Sequence, residues 1–130
     1  MTKSTVDWQL LPLPDENQAI TFDFVDTSLS PPQLEPAFLI RHAGHLYVYH
    51  NRCPHAGTTL DWNPGHFFSD DRRFLLCQTH GALFDPATGA PMTGPCRFGL
   101  QPLPFRLLDG MIAVPRTLHL PDGDLPWPTD

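Results

Sequence analysis

Positive charge is scarce in this sequence: 8 Lys and Arg stand against 14 Asp and Glu, a net charge of −6 over 130 residues. With no basic stripe to neutralise phosphates, a nucleic-acid-binding role is excluded. The acidic balance fits docking on basic protein partners instead. No stretch approaches the roughly 20 apolar residues of a membrane-spanning helix. The opening MTKSTVDWQLLPLPDEN lacks the apolar core and small-residue cleavage site of a signal peptide. A cytoplasmic location is the expectation. Cysteine is rare as well: Cys53, Cys77 and Cys96 are an odd set, which argues against a disulfide framework and fits a reducing compartment. There is no Ser/His/Asp arrangement, no Gly-rich phosphate loop and no two-histidine-one-carboxylate iron site. The chain is therefore expected to catalyse nothing by itself.

Proline, by contrast, is abundant. Its 16 occurrences are about double the usual share of roughly 5%. Proline at this density interrupts helices and central strands and favours turns. Alternating runs such as ITFDFV (residues 20–25) read as half-buried strands. AFLIRHAGHLYVYH (37–50) reads as a hairpin turning at Ala43-Gly44, and PFRLLDGMIAVP (104–115) as another turning at Asp109-Gly110. Short strands are expected at Phe74–Leu76 and across Gly81–Asp85, around a polar turn Asp70–Arg73 and a tight turn Pro86–Gly89. The segments 26–36 and 90–104 read as loops. The expected fold class is all-β, a small antiparallel sandwich or barrel. The length allows one domain, 1–130, with a core over about 20–115, an N-terminal arm 1–19 and a Pro-rich tail 116–130.

Two short motifs carry the chemistry. Cys53-Pro54-His55 and Cys77-Gln78-Thr79-His80 each offer one thiolate and one imidazole. A [2Fe–2S] cluster needs four protein ligands, two per iron. Two loops approaching from opposite sides can put both cysteines on one iron and both histidines on the other. Structural zinc also takes Cys₂His₂, but usually with two cysteines and then two histidines at short spacing. Here each Cys pairs with a His, and residues 56–76, 21 in all, separate the pairs. Iron–sulfur ligation fits this pattern better than zinc. His42, His45 and His50 fall on a predicted hairpin and His66 in a loop, outside any ligand motif.

The boxes Cys53-Pro54-His55-Ala56-Gly57 and Cys77-Gln78-Thr79-His80-Gly81-Ala82-Leu83-Phe84-Asp85, followed by Thr88-Gly89, resemble those of the Rieske iron–sulfur family, and specifically its small ferredoxin-like members. Gly94-Pro95-Cys96 and Leu100-Gln101-Pro102-Leu103-Pro104 resemble that family's proline-rich third loop. The resemblance implies a cluster-binding subdomain built from loops at one end of the β fold. It also implies one [2Fe–2S] cluster on Cys53, His55, Cys77 and His80, with each histidine bound through Nδ1 and its Nε2 near solvent.

Three departures from the family pattern stand out. The spacing between boxes is longer than usual, which the resemblance assigns to an enlarged loop around Asn63–Arg73. High-potential members carry an extra cysteine in each box, joined as a disulfide, where this chain has Thr58 and Thr79. They also carry a serine where this chain has Ala82. With fewer hydrogen-bond donors to the sulfurs, a potential on the order of −150 mV is expected.

The function so implied is that of a Rieske-type ferredoxin. It would pass single electrons from a flavin- or NAD(P)H-linked reductase to a terminal oxygenase. A small Rieske subunit of a nitrite reductase-type enzyme and a structural metal-binding module are the alternatives, separated from it by acceptor and by reversible one-electron reduction respectively.

Overall fold

The computed structural model describes residues 7–52, 59–61, 66–77, 81–93 and 99–119. Among these there are nine strands and no helix: β1 (Asp7–Leu11), β2 (Ala19–Asp26), β3 (Gln33–His42), β4 (His45–His50), β5 (Leu75–Cys77), β6 (Ala82–Phe84), β7 (Pro91–Thr93), β8 (Arg106–Leu108) and β9 (Met111–Leu118). They form two sheets. The larger runs β1-β9-β2-β3-β4 with β8 also paired to β9; the smaller runs β5-β6-β7. Between strands, only the short β2–β9 pairing is parallel, at Val25–Thr117 and Asp26–Leu118. The all-β, dominantly antiparallel expectation is borne out.

The run Ala37-Phe38-Leu39-Ile40 in β3 has no exposed surface. A strand sends successive side chains to opposite faces, so complete burial requires an apolar layer on each side. Phe38 and Ile40 join one core, with Tyr49 of β4, Leu60, Phe67 and the inward residues Leu75, Cys77, Ala82 and Phe84 of the small sheet. Ala37 and Leu39 join a second core with Phe22, Phe24, Val48, Leu103, Ile112 and Val114. The first core lies between the two sheets, and Phe38 stacks on Phe67 there with ring centroids 4.1 Å apart. The second fills the interior of the large sheet.

Both hairpins turn where the sequence places them. Ala43 and Gly44 have φ of 52° and 80°, and Asp109 and Gly110 have 49° and 78°. Two successive positive-φ residues are what a two-residue hairpin turn demands. Glu16 braces the first turn, its carboxylate accepting from the Ala43 N–H at 2.6 Å and the Gly44 N–H at 3.0 Å.

Three segments differ from the sequence reading. Residues 33–36, predicted as loop, belong to β3, because Gln33–Pro36 pair with Asp23–Asp26 of β2. Residues 91–93, also predicted as loop, form β7 against β6. In both, cross-strand pairing outweighs local proline content. The third is the C-terminal strand, which continues to Leu118, past the predicted start of the tail. Pro115 sits opposite Trp8 beside a register irregularity between Asp7 and Trp8, a place where a missing N–H is tolerated. Residues 120–130 lie outside the described residues.

One buried hydrogen bond ties the sheets together: the Tyr49 hydroxyl donates to the Pro86 carbonyl at 2.6 Å. Burial pushes the Tyr49 pKa up, helped by the charge of Asp85, so the phenol stays protonated as a donor. Tyr49→Phe removes the donor and leaves a carbonyl without its partner. Denaturant unfolding should show a loss of about 1–3 kcal/mol; an unchanged midpoint would contradict a role for this bond in joining the sheets.

Candidate metal centre

Of the four predicted ligands, the structure describes Cys77; Cys53, His55 and His80 lie outside the described residues, as does Cys96. Cys77 is the last residue of β5 and pairs across the small sheet with Ala82. It is 1% exposed, free of any disulfide and surrounded by the first core. The chain turns sharply after it: the Gly81 N–H donates to the Cys77 carbonyl at 2.9 Å, and Gly81 has φ of 74°. Glycine suits that conformation because it has no Cβ.

The small sheet determines where its connections lie. The C-terminal end of β5, the N-terminal end of β6 and the C-terminal end of β7 share one edge. Cys77, Ala82 and Thr93 therefore lie at the same end of the small sheet. The opposite connection is a closed turn. The Asp85 carboxylate accepts from the Ala87 N–H at 3.0 Å and the Thr88 hydroxyl at 3.1 Å, and the Gly89 N–H donates to the Asp85 carbonyl at 2.6 Å. The Leu100 N–H then donates to the Gly89 carbonyl at 2.8 Å, fixing the chain as it returns from 94–98. Asp85 is a turn former.

The first box leaves from β4. Asn51, 3% exposed, lies two residues before Cys53. Its backbone N–H donates to the Pro36 carbonyl at 2.9 Å. Its side-chain oxygen accepts from the Leu60 N–H and its amide nitrogen donates to Asp61 Oδ1, both at 2.9 Å. Alongside, one oxygen of Glu35 meets His50 Nε2 at 2.9 Å and the Arg52 guanidinium at 2.8 Å. Sequence reasoning placed His50 at a strand end but missed both Glu35 and Asn51. For Asn51 the available signal was a polar residue two positions before a Cys-x-His box; for Glu35 there was none.

Part of the long inter-box segment is core. Phe67 is 1% exposed and Phe68 bridges to Leu75. His66, Ser69, Asp70 and Arg72 line a polar cavity of about 250 Å³ together with Asn17 and Gln18. His66 thus borders this cavity; among the described residues no group of three or more His, Cys, Asp or Glu comes together.

A thiol buried in apolar surroundings is inert. Cys77 has that burial, yet it ends its strand at the edge from which His80 follows in sequence. This placement fits a thiolate ligand delivered from a rigid floor to a metal held by loops. A model of the Rieske [2Fe–2S] domain matches residues 12–104. The chain belongs to the Rieske [2Fe–2S] family. As a Rieske domain it takes one [2Fe–2S] cluster. No curated protein matches the chain. Solved structures share the fold. The complex of reduced oxygenase and oxidized ferredoxin in carbazole 1,9a-dioxygenase matches at 18% identity and TM-score 0.63, over 88% of this chain and 97% of that chain. The ferredoxin of carbazole 1,9a-dioxygenase from Nocardioides aromaticivorans IC177 matches at 22% identity and TM-score 0.62, over 86% and 98%. A 2-oxoquinoline 8-monooxygenase component matches at 24% identity and TM-score 0.57, over 92% of this chain and 28% of that one.

The Glu35–His50 pair makes this end of the Rieske domain acid-sensitive. Burial lowers the His50 pKa below its ordinary 6.5, and the nearby Glu35 charge offsets this only in part. Burial alone would raise the Glu35 pKa, but the hydrogen bonds from Arg52 and His50 outweigh it and hold the carboxyl below its ordinary 4.5. In both cases the unfolded chain binds a proton that the folded chain refuses. Stability is therefore lost as pH falls below 6.5 through the His50 value, and again below 4.5 through the Glu35 value. Urea unfolding of the loaded protein between pH 7.5 and 5.5 should show this slope, and His50→Gln should flatten it. An equal slope in the variant would contradict the assignment to His50.

Proposed function

We propose that this Rieske domain is a ferredoxin. It accepts single electrons from a flavin- or NAD(P)H-linked reductase, delivers them to a terminal oxygenase and catalyses no reaction of its own. The Rieske domain, with a fold shared with solved ferredoxins, carries this reading. The complex of an oxygenase with its ferredoxin supplies the precedent for the partner. The whole chain, 1–130, is one Rieske-type unit in this proposal, and it works in the cytoplasm. Among the described residues no helix is long and apolar enough to cross a membrane. The net charge of −6 suits a basic face on each partner.

In this reading Cys53 and Cys77 hold one iron and His55 and His80 the other. Bound there, the cluster supplies a reversible one-electron couple. The chain's own part is to hold the ligands still and to set their surroundings. Cys77 contributes its thiolate from the first core. Ala82, its cross-strand neighbour, places a methyl group beside it and no hydrogen-bond donor. Donors to cluster sulfurs stabilise the reduced form.

Ala82→Ser should therefore raise the midpoint potential in a redox titration; an unchanged or lowered potential would contradict this account of the second box. Electron delivery is tested by reducing the protein with dithionite, desalting it and mixing it anaerobically with an oxidised Rieske oxygenase. The reading expects reoxidation of the visible spectrum and one electron delivered per chain. Retention of the electron with a downhill acceptor present would overturn it. Cys77→Ser should abolish both the spectrum and the transfer.

A further inference from the structure

Asn51 is a buried polar side chain whose partners lie nine and ten residues further along the chain. Burying an amide is costly unless its donor and acceptor are both used, and here they are. The orientation of the amide follows from its partners. The Leu60 N–H can only donate, so it faces Oδ1; a carboxylate accepts, so Asp61 faces the amide nitrogen. The backbone N–H of Asn51 is anchored separately, on the Pro36 carbonyl of β3. An ordinary turn-forming Asn bonds backbone about two residues away. This one bonds across a whole segment, and that segment contains Cys53 and His55. The return point is equally fixed, because Leu60 is fully buried in the same core as Cys77.

We propose that Asn51 is the positioning residue of the first ligand box. Its amide fixes the distance between the residues on either side of that box, at 51 and at 60–61, and joins them to the core that carries Cys77. It touches no iron; it acts through the chain it clasps. The proposal rests on the assignment of Cys53, His55, Cys77 and His80 as ligands.

The pairing allows a swap that separates a clasp from general damage. Asn51→Asp sets two carboxylates against each other. Asp61→Asn alone keeps the bond, because the new amide oxygen still accepts from Asn51. The double variant N51D/D61N restores it in reverse: the new carboxylate accepts from the Leu60 N–H and from the amide at 61. The measurement is the half-life of the cluster's visible absorbance in excess iron chelator, together with the g-values of the reduced protein by EPR. The clasp predicts that D61N keeps the wild-type half-life within about twofold and that N51D shortens it by about tenfold, the scale of lost outer-shell support. It also predicts that N51D/D61N recovers both half-life and g-values. Should N51D fail to fold, recovery of the double variant alone still supports the clasp. A double variant as labile as N51D, or an N51D protein with unchanged half-life and g-values, overturns it. A wild-type chain with no reducible [2Fe–2S] signal would overturn the ligand assignment and the clasp together, whereas wild-type signal with unmoved variants would overturn the clasp alone.

Discussion

Full burial of residues 37–40 requires an apolar layer on both faces of β3, and most of the architecture follows from meeting that requirement. One face is covered by the interior of the large sheet. The other is covered by the three-stranded sheet, whose inward side chains include Cys77. The same alternation continues in β4, where Val48 serves one core and Tyr49 the other. Cys77, the cysteine of the second box, thereby becomes part of a hydrophobic core, and its backbone gains the rigidity of close-packed neighbours. Loops cannot provide such rigidity alone. They need ends that do not move, and the shared edge of β5, β6 and β7 supplies them.

Around this frame, polar contacts gather at the start of the first box. Glu35 reaches from β3 to His50 and Arg52, Asn51 reaches forward to Leu60 and Asp61, and the Asn51 backbone reaches back to Pro36. The described residues that flank the two boxes are held differently. Cys77 and Ala82 sit on paired strands in the first core, whereas Asn51, before the first box, is held by hydrogen bonds. Metal-site energy is also folding energy. Electron transfer requires little rearrangement of the protein, and a frame fixed in this way suits it.

Much of this was legible in the sequence, for identifiable reasons. The hairpins at Ala43-Gly44 and Asp109-Gly110 announce themselves because two-residue turns need positive φ, which few residues supply. Strand β2 shows a clean alternation because only one of its faces is packed. The family and its [2Fe–2S] cluster are readable from the two Cys/His boxes, and the family is matched over residues 12–104. Gln33–Pro36, Pro91–Thr93 and the end of β9 were not legible, because each is strand by virtue of a cross-strand partner that no local pattern announces, and each contains or adjoins a proline that locally argues for loop. Glu35 and Asn51 were missed for a related reason. A single polar residue has no period of its own, and its meaning appears only when its partners, 15 to 17 residues away for Glu35 and 9 to 10 for Asn51, arrive beside it.

The most direct test of the account is EPR on anaerobically purified protein, as isolated and after dithionite, with iron and zinc counted in the same sample. About two irons per chain and a reduced-state signal whose average g lies below that of all-cysteine ferredoxins are predicted, since two histidines on one iron distinguish this cluster type. Zinc in place of iron, or iron with no reducible signal, would contradict the claim that this β frame exists to hold an electron-carrying centre.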